Sequence, residues 1–484
     1  MRSPDRLTGL DSSFLHLERD SAHMHVGGCA VFAGPAPAYE ELAAQIESRL
    51  HLVPRYRQRL AFVPFDQGRP VWVDNPHFKV AYHLRHTALP RPGGEDELKR
   101  LAGRVFSQAL DRSRPLWELW LVEGLEDERF ALLSKTHHAL VDGVSGVDIA
   151  TVLFDSSPDP VPVTAPDHDW IARPLPTGPQ LLADALLERA MAPGEIVSWV
   201  RAALRGPHQV ASKLSAAALG LGAMAWAGLK SAPPSPFNAR IGPHRRFSWV
   251  RGDLEEFKEV KNAFDATVND VVLAVVAGAL GRYMRMNGHP TDDLELKAMV
   301  PVSVRADVER GALGNRVTAM WAPLPVGLVD PVERLLRISG AMEGIKHSGQ
   351  AVGAQVLTQL TGFAPPTILA QAARLQAHQR LFNLVVTNVP GPQFPLYILG
   401  HELEAIFPMV PLAENTALGI AIMSYNGQLN FGLIGDYDAL AKLESLADEL
   451  RVSIEELVAA ARSPAASWGA PRPRVPGAAA ARAK

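Results

Sequence analysis

The chain has 484 residues, 47% of them hydrophobic and 20% charged, which is enough apolar material for large cores and excludes disorder over most of its length. A formal charge of -3 supplies no global basic field, so nucleic acid is not an expected partner. Cys29 is the single cysteine, which excludes an intramolecular disulfide and any cysteine-built zinc or iron-sulfur site.

The length exceeds what one hydrophobic core organises, so two domains of roughly 200 residues each are expected. The N-terminus, MRSPDRLTGLDSSFLHLERD, lacks the apolar run of a secretory signal, and a cytoplasmic location is expected. HVGGCAVF (His25 to Phe32) reads as a strand. In YEELAAQIESRL (Tyr39 to Leu50), Leu42, Ile46 and Leu50 recur at helical spacing and give one buried face. Arg129 to Leu153, RFALLSKTHHALVDGVSGVDIATVL, reads as a strand over Phe130 to Thr136, a polar turn, then a helix. Residues 1–155 therefore form a mixed α/β domain.

Closely spaced prolines between Ser156 and Pro179 remove donors and forbid regular ladders, which predicts an extended linker. Helical patterns follow from Gln180 to about Lys230, and SAPPSPF (Ser231 to Phe237) breaks them, so residues 156–237 are taken together as linker and crossover helices. The longest apolar stretch, Leu214 to Leu229, is shorter than the roughly 20 residues a spanning helix requires. With Trp226 inside and Lys213 and Lys230 flanking, it suits either a packed or an interfacial helix. A second α/β domain is expected over 238–460. It contains the long apolar helix Asn269 to Met286, a type I′ hairpin at Asn426-Gly427 and an amphipathic helix from Leu440 to Ala460. The Pro- and Ala-rich tail, 461–484, is expected to be disordered.

His137, His138, Asp142 and Gly143 fall together at the strand-to-helix junction. Histidine suits the removal of an alcohol proton near neutral pH, because its ordinary pKa is about 6.5. Neighbouring side chains on an extended segment point to opposite sides, so one histidine of the pair faces a given cleft and the other packs or orients the loop. Asp142 either fixes the imidazole tautomer or pairs with an arginine, Arg305 being one candidate. Gly143 permits a tight turn.

HHALVDG matches the HHxxxDG signature of the superfamily of CoA-dependent acyltransferases and peptide-synthetase condensation domains. More narrowly, the chain resembles the bacterial wax ester synthase/diacylglycerol acyltransferase family from LTGLDSSFLHLE (Leu7 to Glu18) and MHVGG (Met24 to Gly28) to FGLIGDYDAL near residue 440. PLW stands at Pro115, Leu116 and Trp117, and ND at Asn269 and Asp270. PRYRQRL (Pro54 to Leu60), VPVSVR (Val300 to Arg305), Gly314-Asn315 and TNVPGP (Thr387 to Pro392) are similar as well. The resemblance implies an α/β (α+β) fold of two chloramphenicol-acetyltransferase-like mixed-sheet domains facing each other across a channel. It implies that the second histidine, His138, is the base and that Asp142 is structural. Long-chain acyl-CoA is the implied donor and a substrate, no cofactor or metal being required. Diacylglycerol or a fatty alcohol is the implied acceptor, with polyketide or trehalose-linked lipids as alternatives. Association with the inner membrane face or lipid bodies follows from the insolubility of the products.

Bland readings stand beside these. Trp117 and Trp120 are core or channel wall before they are chemistry. Asn269 is either an oxyanion donor or a helix N-cap. A metallohydrolase using His138 and Asp142, or both histidines, lacks an identifiable third ligand. A lipid-body or carrier protein with a degenerate transferase fold is opposed by the intact HHALVDG.

Overall fold

The computed structural model describes residues 5–141, 152–159, 168, 170–188, 231–303, 317–347 and 380–463. In chain order the first half gives β1 (Asp5–Arg6), β2 (His25–Phe32), β3 (Gln58–Ala61), β4 (Val71–Asp74), β5 (Leu84–Ala88), β6 (Trp117–Leu125) and β7 (Arg129–His137). The second half gives β8 (Arg245–Asp253), β9 (Leu296–Ser303), β10 (Val317–Leu324), β11 (Leu384–Pro390), β12 (Tyr397–Ile398), β13 (His401–Met409), β14 (Leu418–Tyr425) and β15 (Gln428–Asp436).

These strands form two six-stranded mixed sheets, ordered β12-β13-β2-β7-β6-β5 and β10-β9-β11-β14-β15-β8, beside a small sheet β1-β4-β3. The expected pair of mixed α/β lobes is thus present. The chain intervals 1–155 and 238–460 are not self-contained, however, because β12 and β13 come from the second interval and complete the first sheet. β13 pairs antiparallel with β2 and also lies against β15 of the other lobe. The approach is so close that a Cβ on Gly432 would sit 1.9 Å from the Pro408 carbonyl oxygen. One strand therefore ties both lobes together.

Local patterns account for the elements. Helix Tyr39–Arg49 buries Leu42 and Ile46 as its periodicity predicts. Helix Val268–Met286 is apolar on nearly every face, and such a helix belongs inside a core. Val272, Leu273, Val276 and Leu280 are fully buried there, each worth roughly 1.5–3 kcal/mol. The helices Pro331–His347 and Leu443–Arg462 pack along it. Asn426 and Gly427 have φ of 43° and 79°, and Tyr425 pairs directly with Gln428, so β14 and β15 meet in the expected two-residue hairpin.

A helix runs over 178–188, after the irregular Pro-containing stretch 170–177. Asp142, Gly143, Arg305, Gly314, Asn315, the apolar stretch Leu214 to Leu229 and the tail from residue 464 lie outside the described residues. Among the described residues no single helix is long and apolar enough to cross a membrane.

Candidate active site

The central strand of the first sheet, β7, ends at His137, and the helix His138–Val141 begins at the next residue, so no turn separates the two histidines. The polar turn expected at this junction extends to Asp142 and Gly143, which lie outside the described residues. His25 opens β2 directly opposite His137, and the His138 N–H donates to the Met24 carbonyl at 2.8 Å. On the other flank the His137 N–H donates to the Leu116 carbonyl at 2.9 Å. The junction is thus held by backbone bonds on both sides.

The two side chains differ in burial and partners. His137 is 1% exposed. Its Nδ1 accepts the Ala139 N–H at 3.1 Å, which puts the proton on Nε2, facing Glu18 Oε2 at 3.6 Å. His138 is half-buried, and its ring stacks on Phe14 at 3.9 Å between centroids and 23° between planes. Of the pair, His138 is the more exposed.

Glu18 follows helix Gly9–Leu17 and gathers the junction. It accepts from Arg112 Nε at 2.9 Å and from Arg112 Nη2. Its Oε1 lies 3.4 Å from the N–H of Met24, whose carbonyl carries His138. Burial alone would raise the Glu18 carboxyl, but His137 and Arg112 outweigh it and hold the group at about 2, so it is ionised at any working pH. One carboxylate thereby braces both histidines, His137 through its ring and His138 through Met24.

Deeper residues supply the floor. The His25 Nε2–H donates to the Phe106 carbonyl at 3.0 Å, and burial drives the ring well below its ordinary pKa. Lys135 has no exposed surface; burial lowers its pKa against the pull of Glu118, and Nζ donates to the Val105 and Gln108 carbonyls.

Trp117 opens β6, directly preceded by Pro115 and Leu116. Trp117 is 1% exposed, donates from Nε1 to the Tyr56 carbonyl at 2.8 Å and stacks on His83, as the core reading expects. Trp120 is only partly buried. At the other motif the N-cap is Thr267, so Asn269 sits inside the first helical turn and the N-cap reading for Asn269 fails. The cap partner is Asp270, whose Oδ2 accepts the Thr267 N–H at 2.9 Å while its own N–H donates to Thr267 Oγ1. Asp270 also accepts from Ser339 Oγ at 3.4 Å. Asn269 remains half-buried.

Sequence reasoning gave no role to Glu18, Met24, Phe14 or Arg112. The first three lie in the LDSSFLHLE and MHVGG stretches, which was the available signal. Arg112 carried none. Among the described residues no group of three His, Cys, Asp or Glu is placed to hold a metal ion.

The profile of the wax ester synthase/diacylglycerol acyltransferase catalytic domain matches residues 7–272, and that of the WS/DGAT C-terminal domain matches residues 313–458. A putative diacylglycerol O-acyltransferase of Mycobacterium tuberculosis is 33% identical, covering 94% of this chain and 90% of the relative. A probable diacylglycerol O-acyltransferase of the same species is 33% identical over 94% of this chain and 96% of its own. Among solved structures, the wax ester synthase/diacylglycerol acyltransferase from Marinobacter aquaeolei VT8 superposes with a TM-score of 0.63 at 31% identity, covering 94% of this chain and 99% of that one. The starter condensation domain of rhizomide synthetase, solved with C8-CoA and Leu-SNAC, shares the fold at 15% identity and a TM-score of 0.57, over 95% of each chain.

Proposed function

The chain belongs to the wax ester synthase/diacylglycerol acyltransferase family and is an O-acyltransferase, and from that premise we propose that His138 is its general base. The observation that carries this is the asymmetry of the histidine pair. His137 is sealed in and tied to Glu18, whereas His138 is anchored by its backbone, held flat against Phe14 and left half open.

In this reading the acceptor hydroxyl gives its proton to the His138 imidazole as its oxygen attacks the thioester carbonyl. The tetrahedral intermediate then breaks its C–S bond, and the imidazolium returns the proton to the departing CoA thiolate. Protons and electron pairs balance without a covalent acyl-enzyme or a cofactor. Asn269 is offered as donor to the oxyanion, in a position the Asp270–Thr267 cap holds fixed. Asp142 and Gly143 are assigned to shaping the turn. Pro115, Leu116 and Trp117 act indirectly, through the Leu116 carbonyl that receives His137.

The donor is a long-chain acyl-CoA and the acceptor diacylglycerol or a long-chain alcohol, giving triacylglycerol or wax ester. Both products are insoluble in water, which supports work at the inner face of the cell membrane and at lipid bodies. The test follows free CoA thiol from palmitoyl-CoA with dioleoylglycerol, hexadecanol or neither, and resolves the esters by chromatography. Thiol release should require an alcohol and fall by about 100-fold or more in His138→Ala. A variant equal to wild type would remove His138 as the base.

A further inference from the structure

A cleft of about 650 Å³ lies between the first lobe's helix Glu95–Ser107 and the start of β8 in the second, with residues 437–444 closing its far side. Five cations line it, Lys99, Arg100, Arg104, Arg245 and Arg246, against the carboxylates of Asp96 and Glu444. That excess stands out in a chain whose formal charge is -3.

Some of these cations build the walls. Lys99 is held by Glu444 at 3.1 Å, and buried Arg245 donates to the Gly242, His244 and Ser21 carbonyls. Others are presented. Arg246 is braced by Tyr437, with Nε on its carbonyl at 2.8 Å and the guanidinium 3.9 Å from its ring centroid. Arg100 and Arg104 are exposed one turn apart; Arg100 pairs with Glu97 at the helix surface, and Arg104 makes no side-chain bond or ion pair among the described residues. A second recess of about 350 Å³, reaching Trp120, flanks the same arginine ridge. In the cleft wall the Arg245 N–H donates to Ser107 Oγ at 2.8 Å and its guanidinium to the Ser21 carbonyl, and Ser21 lies three residues before Met24, which carries His138.

We infer that this cleft holds the nucleotide end of the acyl donor, its 3′-phosphate and diphosphate taken by Arg100, Arg104 and Arg246, an inference that rests on the acyl-CoA reading above. Guanidinium groups match phosphate oxygens two at a time, and a cleft of this volume is in the range of small-ligand sites. The pantetheine arm is neutral and needs no cations of its own, whereas the arginines would have no reason to gather around an uncharged acceptor lipid.

The test compares palmitoyl-CoA, palmitoyl-3′-dephospho-CoA and S-palmitoyl-pantetheine at saturating acceptor, in wild type and in Arg100→Ala/Arg104→Ala. Wild type should prefer palmitoyl-CoA over the pantetheine thioester by about 100-fold in kcat/KM, through KM, with the dephospho compound between. The double variant should shrink that preference about tenfold. Also, 3′,5′-ADP should compete with palmitoyl-CoA for wild type and phosphatidylglycerol vesicles should not. An undiminished preference in the variant overturns the inference, as does competition by the vesicles alone, which would make the cleft a lipid-headgroup site. Turnover of none of the thioesters by wild type would instead overturn the acyl-CoA reading, and the inference with it.

Discussion

Replacing Glu18 by glutamine keeps the side chain's shape and removes only the charge that braces the histidines. A carboxyl held at about 2 against an ordinary 4.5 means that the folded protein favours the carboxylate by roughly 3 kcal/mol. That stabilisation is complete above pH 4.5 and disappears as pH falls toward 2. At pH 7.5 the neutral amide loses most of it, leaves the His137 Nε2–H without an ionic acceptor and frees Arg112, for a net cost of about 2–3 kcal/mol. The Met24 N–H contact also weakens, so the backbone carrying His138 loosens. A displacement of about 1 Å at a reacting group costs up to roughly 100-fold. We therefore expect kcat to fall 10- to 100-fold with little change in KM, measured by thiol release, and the urea midpoint to drop. Pairing Glu18→Gln with His137→Asn should give a coupling of about 1–2 kcal/mol in a double-mutant cycle. A lowered midpoint with kcat within twofold of wild type would refute the reasoning, since Glu18 would then support the fold alone.

The second-lobe motif separates into two roles. Asp270→Ala should cost about 1–2 kcal/mol of stability through loss of the capping box, read as a lower urea midpoint. Asn269→Ala, which leaves that cap intact, should lower kcat about 100-fold at unchanged midpoint; unchanged kcat would remove it as oxyanion donor. Part of the acid sensitivity should trace to His83, alongside the more deeply buried His25: burial holds His83 at about 4 against the partial rescue of its bond to the Trp117 carbonyl. A histidine depressed in the folded state favours folding fully above pH 6.5, and that contribution, roughly 3 kcal/mol, is lost as pH falls to 4. His83→Gln should flatten the decline of the urea midpoint between pH 6.5 and 4.5, and an unchanged slope would exclude His83 as its source.

Elements whose cause is local were legible in the sequence. Leu42 and Ile46 announce their helix, Asn426-Gly427 its hairpin, and HVGGCAVF its strand to the residue. The second histidine as base is what the resemblance implies, and the physical reason to prefer it is that His137 is sealed in against Glu18 while His138 opens the following helix. What could not be read is whatever depends on distant pairing. Glu18 and Arg112 are 94 residues apart, and no periodicity links them. β13 reads as an ordinary half-buried strand of its own interval, yet it completes the other lobe's sheet, because hydrophobic alternation encodes a face and says nothing of the neighbour. The helix start at Asn269 was missed by one residue and its cap by two, since Thr267 and Asp270 form the reciprocal cap that the sequence TVND also permits.

MHVGG, a stretch without a catalytic side chain, follows from the same geometry. The position of His138 depends on the register of β2 against β7, because its N–H is fixed on Met24. That register sets Gly27 against Lys135, and a Cβ on Gly27 would lie 2.0 Å from the Ser134 carbonyl oxygen. A side chain there would push the strands apart or slip them by a residue, and a one-residue slip turns every side chain to the opposite face. His138 would lose its anchor, and His137, now facing outward, would lose Glu18. The glycine is therefore as necessary to the placement of His138 as the Glu18 carboxylate is, although it touches neither histidine ring.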